Sequence, residues 1–125
     1  MINQETQFHI VDNSGAKRVL CIKVLKQKIG YPGSVCIATV KKSKIRKTKK
    51  RKQIKKSDIV KTLLLSTKFG VYRKTGYRIF GGANYGLVLK RDNSFLPFGN
   101  RIKRPVFYEV RDVFSKLLIM APSVI

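Results

Sequence analysis

The chain has 125 residues and sets 28 Lys and Arg against 6 Asp and Glu, a net charge of +22 with its single His neutral. That length allows one domain with one core, and a hydrophobic share of 43% excludes a wholly disordered basic tail. So much charge on a folded domain repels itself, which points to a polyanionic partner: nucleic acid first, an anionic membrane second. Cys21 and Cys36 lack a CxxC spacing, and His9 has no companion ligands, which excludes a structural zinc site. Both cysteines sit in apolar runs and read as buried, reduced thiols. The segment Met1 to Glu5 has neither a signal peptide's charged start and apolar core nor the Arg-rich look of a transit peptide. No apolar stretch approaches ~18 residues, so a soluble chain with no removable address and no membrane partner is expected.

Three strand-like runs open the chain: Thr6 to Val11, Arg18 to Leu25 and Ser34 to Val40, each rich in β-branched residues. Asn13-Ser14-Gly15 and Gly30-Tyr31-Pro32-Gly33 punctuate them at spacings that suit short antiparallel strands. A basic block follows from Lys41 to Lys56, in which eleven of sixteen residues are Lys or Arg, none is acidic, and only Ile45 and Ile54 are apolar. Such a block is not expected to pack. Strands resume at Asp58 to Leu65, Gly76 to Phe80 and Tyr85 to Leu89. After Pro105 the period changes: Val113, Phe114, Leu117 and Leu118 recur at helical spacing, with Asp112 as the expected N-cap. The predicted architecture is mainly β, a small five-stranded closed barrel over residues 1–125 with a long basic loop at 41–56 and short C-terminal helices at 105–120.

Catalysis needs convergent acids, bases, nucleophiles or metal ligands, and the six acids here are scattered. No enzyme activity and no cofactor or metal are expected. Gly81-Gly82-Ala83-Asn84 lacks a phosphate-loop pattern and reads as a turn, and His9 reads as a strand residue. The basic block is the strongest functional signal. On a loop projecting from a barrel, its charges can follow a phosphate backbone and release counterions. The candidates are Lys41, Lys42, Lys44, Arg46, Lys47, Lys49, Lys50, Arg51, Lys52, Lys55 and Lys56. Lys17, Arg18, Arg73, Lys74, Arg78, Lys90, Arg91, Arg101, Lys103 and Arg104 would extend the same field. Tyr72, Tyr77, Phe95 and Phe98 could stack on bases, with core or loop-anchor roles the plainer reading.

Several segments in order resemble one family. Asp12-Asn13-Ser14-Gly15-Ala16-Lys17-Arg18 followed by Val19-Leu20-Cys21-Ile22-Lys23-Val24-Leu25 is similar to the N-terminal signature of the universal large-subunit ribosomal protein L-fourteen family. Asp58-Ile59-Val60-Lys61, Asn84 before Gly86-Leu87-Val88-Leu89, Gly99-Asn100-Arg101-Ile102 leading to Pro105-Val106, Glu109-Val110-Arg111 and Ala121-Pro122-Ser123-Val124-Ile125 continue the match to the end. The resemblance implies a five-stranded barrel that docks on large-subunit rRNA beside neighbouring ribosomal proteins. It also implies an intersubunit bridge to small-subunit rRNA and a surface for a ribosome-silencing factor. Carried over, Asn13, Ser14, Lys17, Arg18 and the loop cations would face RNA, and Asn100, Arg101 and Lys116 would form the bridge or silencing face.

The chain departs from the family pattern in ways that mostly add positive charge. Asn100 stands where the family usually has Thr, Lys103-Arg104 replaces a usual aromatic-Gly pair, and Gly82 or Ala83 replaces an acid. The terminal Pro-Glu-Val becomes Pro122-Ser123-Val124, and the mid-chain loop is longer and more basic than the common bacterial form. Abundant Lys, Ile, Phe, Tyr and Asn with little Ala indicate AT-rich coding. The resulting expectation is a mitochondrially encoded copy in the matrix ribosome, with a bacterial cytoplasm as the alternative. The rival function is a free OB-like regulator of single-stranded nucleic acid, which would need an array of exposed strand aromatics. The barrel strands offer few such residues: Phe8, Tyr77 and Tyr85.

Overall fold

The computed structural model describes residues 1–44, 54–91, 96–112 and 117–125. Seven strands follow in order: β1 (Gln7–Ile10), β2 (Ala16–Val24), β3 (Val35–Ser43), β4 (Ile59–Ser66), β5 (Val71–Tyr72), β6 (Arg78–Ile79) and β7 (Tyr85–Val88). A 3-10 turn (Tyr108–Asp112) and a short helix α1 (Leu117–Met120) end the chain. Five of the strands close the expected barrel in the order β1-β2-β3-β4-β7. The neighbours are antiparallel except at the seam, where β1 runs parallel to β7 with His9 opposite Tyr85 and Ile10 opposite Gly86. The first three strands pair antiparallel as their turn spacing predicts, and the chain closes its barrel by returning after the β5–β6 excursion in the same direction as β1.

Side chains alternate between the two faces of a strand, and in β4 and β7 both faces are apolar and feed two separate clusters. Phe8 and Ile10, Val19 and Cys21, Cys36, Ala38 and Val40, Val60 and Leu64, and Val88 all point into the barrel. The intervening residues of β4 and β7, Leu63, Leu65 and Leu87, belong to a second cluster with Val11, Leu89, Ile102, Val106, Val110 and Leu117. The run Leu63-Leu64-Leu65 is therefore apolar without alternation because β4 is buried on both faces, one filled by the barrel and the other by the C-terminal segment. At roughly 1.5–3 kcal/mol for each fully buried Leu or Val, this outer cluster is a substantial part of what holds the C-terminal segment in place.

Two expectations change. Gly76 to Phe80 is not a barrel strand: only Arg78–Ile79 is extended, and it pairs with Val71–Tyr72 in a separate two-stranded ribbon. The basic block also packs at both ends. Lys41, Lys42 and Ser43 continue β3, with Arg18 opposite Lys42, and Ile54 is buried in the barrel core. One apolar side chain is enough to anchor the returning leg, and Ser57 N–H to Val40 O (2.8 Å) and Val40 N–H to Asp58 O (2.9 Å) tie that leg to β3. The expected helix start at Asp112 falls at the end of the 3-10 turn, and Val113 and Phe114 lie outside the described residues.

Candidate nucleic-acid interface

The site grows from a buried acid. Asp12 follows β1, and its Oδ1 accepts hydrogen bonds from Ser14 N–H (3.0 Å) and Ser14 Oγ–H (2.5 Å). This is an Asx turn, in which the short side chain mimics a backbone carbonyl and reverses the chain. Oδ2 accepts from the Val88 N–H (2.9 Å), so the same carboxyl ties the turn to β7. Burial pushes the Asp12 carboxyl above its ordinary value, and the Ser14 and Val88 hydrogen bonds oppose that push. The group is the polar keystone of the turn and is too enclosed to meet a ligand.

The turn's outer edge is tied to a loop far away in sequence. Asn13 Nδ2–H donates to Asn100 Oδ1 (2.6 Å), and Asn100 N–H donates to Asn13 Oδ1 (3.0 Å). Gly99 permits this approach, since a Cβ there would lie 2.5 Å from Asn13 Oδ1. Asn100 thus has a structural role: its side-chain amide carbonyl accepts from the Asn13 side chain. Beside this pair, Lys103 N–H donates to Val11 O (2.9 Å) and Ile102 bridges Asp12. On the other side, Lys44 N–H donates to Gly15 O (2.7 Å).

These bonds converge three segments on one corner of the barrel. A cavity of about 110 Å³ is lined by Asp12, Asn13, Ser14, Gly15, Ala16, Lys17, Lys44 and Lys103. Its three lysines come from the turn, the basic loop's first leg and the loop after Gly99. Lys17, Arg18, Lys41, Lys42, Lys44, Lys55 and Lys56 are all exposed, as are Asn100 and Arg101. Ser14 is buried and serves the turn. The RNA-facing turn and the bridge face were separate in the sequence reading; in space Asn13 and Asn100 are hydrogen-bonded to each other. Arg46, Lys47, Lys49, Lys50, Arg51, Lys52 and Lys116 lie outside the described residues. Lys103 is the member that sequence reasoning left in the general field. No local spacing marks it, because its place depends on backbone pairing between residues 11 and 103.

Elsewhere, His9 is a strand residue with its ring 6.0 Å from that of Tyr85, over which the Arg104 guanidinium lies at 5.0 Å. Phe8 is core, and Phe98 packs partly against the core. Cys21 and Cys36 are buried free thiols. Burial pushes the Cys36 thiol up to about 12 and raises that of Cys21 as well, which makes both poor nucleophiles.

Such an arrangement can hold anionic oxygen and offers no convergent acid, base and nucleophile. The closed five-stranded barrel with a short C-terminal helix is the frame that the resemblance implied. The model of the family described as Ribosomal protein L14p/L23e matches residues 1–125, the whole chain, and the protein belongs to that family of large-subunit ribosomal proteins, which is a structural family and not one of enzymes.

Proposed function

We propose that the whole chain acts as one structural unit of the large ribosomal subunit that grips rRNA through the Asp12 corner and the basic loop, and meets the small subunit through the neighbouring C-terminal face. The observation that carries this reading is the convergence of Lys17, Lys44 and Lys103, from three segments, around one cavity at the foot of the Lys41 to Lys56 block. A phosphate seated there would meet three cations held by hydrogen-bonded backbone, so little ordering is needed on binding. Asn100 and Arg101 continue the surface from that corner, and with Lys116 they are the residues proposed for the contact with small-subunit rRNA and for a silencing factor. AT-rich residue usage supports a mitochondrial matrix ribosome as the setting.

Sedimentation of ribosomes carrying variants tests this. Replacing Lys49, Lys50, Arg51 and Lys52 with neutral residues should impair incorporation into large subunits, while those subunits that assemble join normally. Replacing Arg101 and Lys116 with Ala should leave incorporation intact: Arg101 is exposed, and trimming an exposed side chain typically changes stability by no more than ~0.5 kcal/mol. Subunit joining should weaken instead, most visibly at raised salt. A double variant that fails to incorporate, or that joins like the parent, removes the bridge from this face.

A further inference from the structure

The β5–β6 ribbon is a built surface that the Asp12 corner does not use. Four aromatic rings stand in solvent around it: Phe69 is 40% exposed, Phe80 66%, Tyr72 71% and Tyr77 73%. Such exposure on one short ribbon is unusual, because aromatic side chains carry the largest apolar surface a chain can bury. The plainer reading of Tyr72 and Tyr77 as core or anchor residues does not hold in the structure.

The ribbon is firmly positioned. Thr67 Oγ1 accepts from Gly70 N–H (3.0 Å) and Thr67 O accepts from Gly81 N–H (3.0 Å), so both legs leave from one residue. Gly70 has a φ of 81°, and a Cβ there would lie 2.0 Å from Ile79 O, so only glycine lets the legs cross this closely. At the tip, Arg73 N–H donates to Tyr77 O (2.8 Å). The Arg73 side chain pairs with Glu109 (2.6 Å) and donates to Ile125 O (2.7 Å), fixing the ribbon to the C-terminal segment.

Arg78 organises the exposed rings. Its Nε–H and Nη2–H both donate to Phe69 O (2.9 and 2.7 Å). Its guanidinium lies 4.7 Å from the Phe69 ring centre, 5.6 Å from Phe80 and 5.7 Å from Tyr72, its cross-strand partner. No carboxylate among the described residues pairs with it. From Ile59 to Arg91 the sequence has seven basic residues and no acid.

We propose that this ribbon is a second RNA site, at which unpaired bases stack on Tyr72 and Phe80 around the Arg78 guanidinium while Lys68 and Lys74 neutralise the flanking phosphates. Rings with an unpaired, pre-oriented cation and no acid complement a ligand that carries both π faces and negative charge, which single-stranded or looped RNA does. A regular duplex hides its base faces in the stack, so the ligand is unpaired RNA. An apolar protein surface would bury Arg78 without neutralising it. The inference rests on the RNA-binding reading above but concerns a different surface and a different chemistry, base stacking instead of phosphate capture.

The test compares binding of the full-length protein to a 12-nucleotide oligoadenylate and to an abasic ribose-phosphate 12-mer of equal charge. The parent should prefer the oligoadenylate by roughly tenfold or more. Tyr72→Ala combined with Phe80→Ala should abolish that preference while leaving affinity for the abasic strand and its salt dependence unchanged. Tyr72→Leu with Phe80→Leu retains apolar bulk and should lose the preference equally, and Tyr72→Phe should keep it; thermal melting confirms that each variant folds. Equal affinity of the parent for both strands, or a preference that survives both double variants, overturns the proposal and leaves the phosphate reading standing. Failure to bind either strand removes the phosphate reading as well. A photo-crosslinker at position 72 in assembled large subunits should label RNA. Labelling of a protein, or self-association of the parent that the double variants abolish, assigns the ribbon to that partner and overturns the proposal.

Discussion

The Asp12 corner and the β5–β6 ribbon, both proposed as RNA sites, present positive charge by opposite means. The corner is built by hydrogen bonds around a buried carboxyl, carries lysines from three segments and has no ring among its lining residues. The ribbon is organised by Arg78 stacked among rings, and that arginine's hydrogen bonds go to the Phe69 carbonyl. Lysine is a compact, strongly hydrated point charge suited to phosphate from any direction, whereas a planar guanidinium stacks on aromatic faces. A net charge of +22 is therefore not one undifferentiated field. On the proposed reading the corner would respond to charge alone, and the ribbon to charge together with exposed base faces.

Both regions hang on one barrel, so the largest perturbation should erase the difference between them. The Cys36 thiol is raised from an ordinary value of 9.0 to about 12, and that of Cys21 is raised too, in both cases first by burial. An acid whose folded pKa is raised leaves stability intact below its unfolded pKa. Stability is then lost as pH rises, because only the unfolded chain releases the proton. Between pH 9 and about 12 stability should fall by about 1.4 kcal/mol per pH unit for Cys36. In denaturant melts across this range, loss of the corner's lysine environment and of the ribbon's tyrosine signal should coincide. Separate transitions would show that one region unfolds on its own. Below pH 8, thiol labelling should be slow until denaturant is added.

The next perturbation should separate the two. Asp12→Ala leaves two backbone N–H groups and a hydroxyl without their acceptor in a buried turn. The cost should be about 2–4 kcal/mol, measured by urea unfolding. Affinity for the abasic strand should fall with it, because Lys17, Lys44 and Lys103 lose their common support, while the preference for stacked bases persists. A loss of less than ~1 kcal/mol would mean that Asn13–Asn100 and Lys44–Gly15 hold the corner without the carboxyl.

How much of this was legible in the sequence follows from which contacts are local. The five barrel strands were readable within about two residues at most ends because apolar residues alternate with polar ones, as in β1, or run continuously where both faces are covered, as in β4. Asn13-Ser14-Gly15 announced its turn for the same reason: an Asx turn is closed by residues two apart. What was not legible is carried by partners far away in the chain. Asn13 meets Asn100 across 87 positions, and Arg73 meets Glu109 across 36. Gly76 to Phe80 has strand composition, and only the crossing at Gly70 and the tether at Gly81 keep it out of the barrel. Ile54 looked stranded among cations because its cavity is made by other strands.

Salt sharpens the comparison further. Neutral replacements at Lys17, Lys44 and Lys103 should reduce the log–log salt slope of RNA binding by about 2 to 3 in all, at roughly 0.7 to 0.9 for each phosphate no longer neutralised. The ribbon's aromatic variants should leave the slope unchanged, since stacking releases no counterions. Filter binding between low and moderate salt distinguishes the outcomes. An unchanged slope in the lysine variant would show that the corner is merely solvated.

The smallest expected effect concerns the tether between the ribbon and the C-terminal segment. The Arg73 and Glu109 side chains are 26% and 29% exposed, so water screens part of their attraction. Breaking the pair should cost about 1 kcal/mol. Glu109→Gln is the informative variant, because it removes the ion pair without removing a cation from the ribbon. The freed Arg73 charge should hold the salt slope level or make it slightly steeper. Base preference should fall a few-fold, because the rings around Arg78 are then presented by a ribbon held at Thr67 and, on the C-terminal side, by the Arg73–Ile125 O hydrogen bond without the ion pair. Hydrogen exchange gives the structural readout: amides of Val71 and Ile79 should exchange faster in the variant, while those of Cys36 and Leu64 keep the protection of the barrel. If the ribbon amides stay protected and base preference is unchanged, the stack around Arg78 is rigid without the ion pair, and the orientation of the ribbon comes from the two legs at Thr67 and the Arg73–Ile125 O bond.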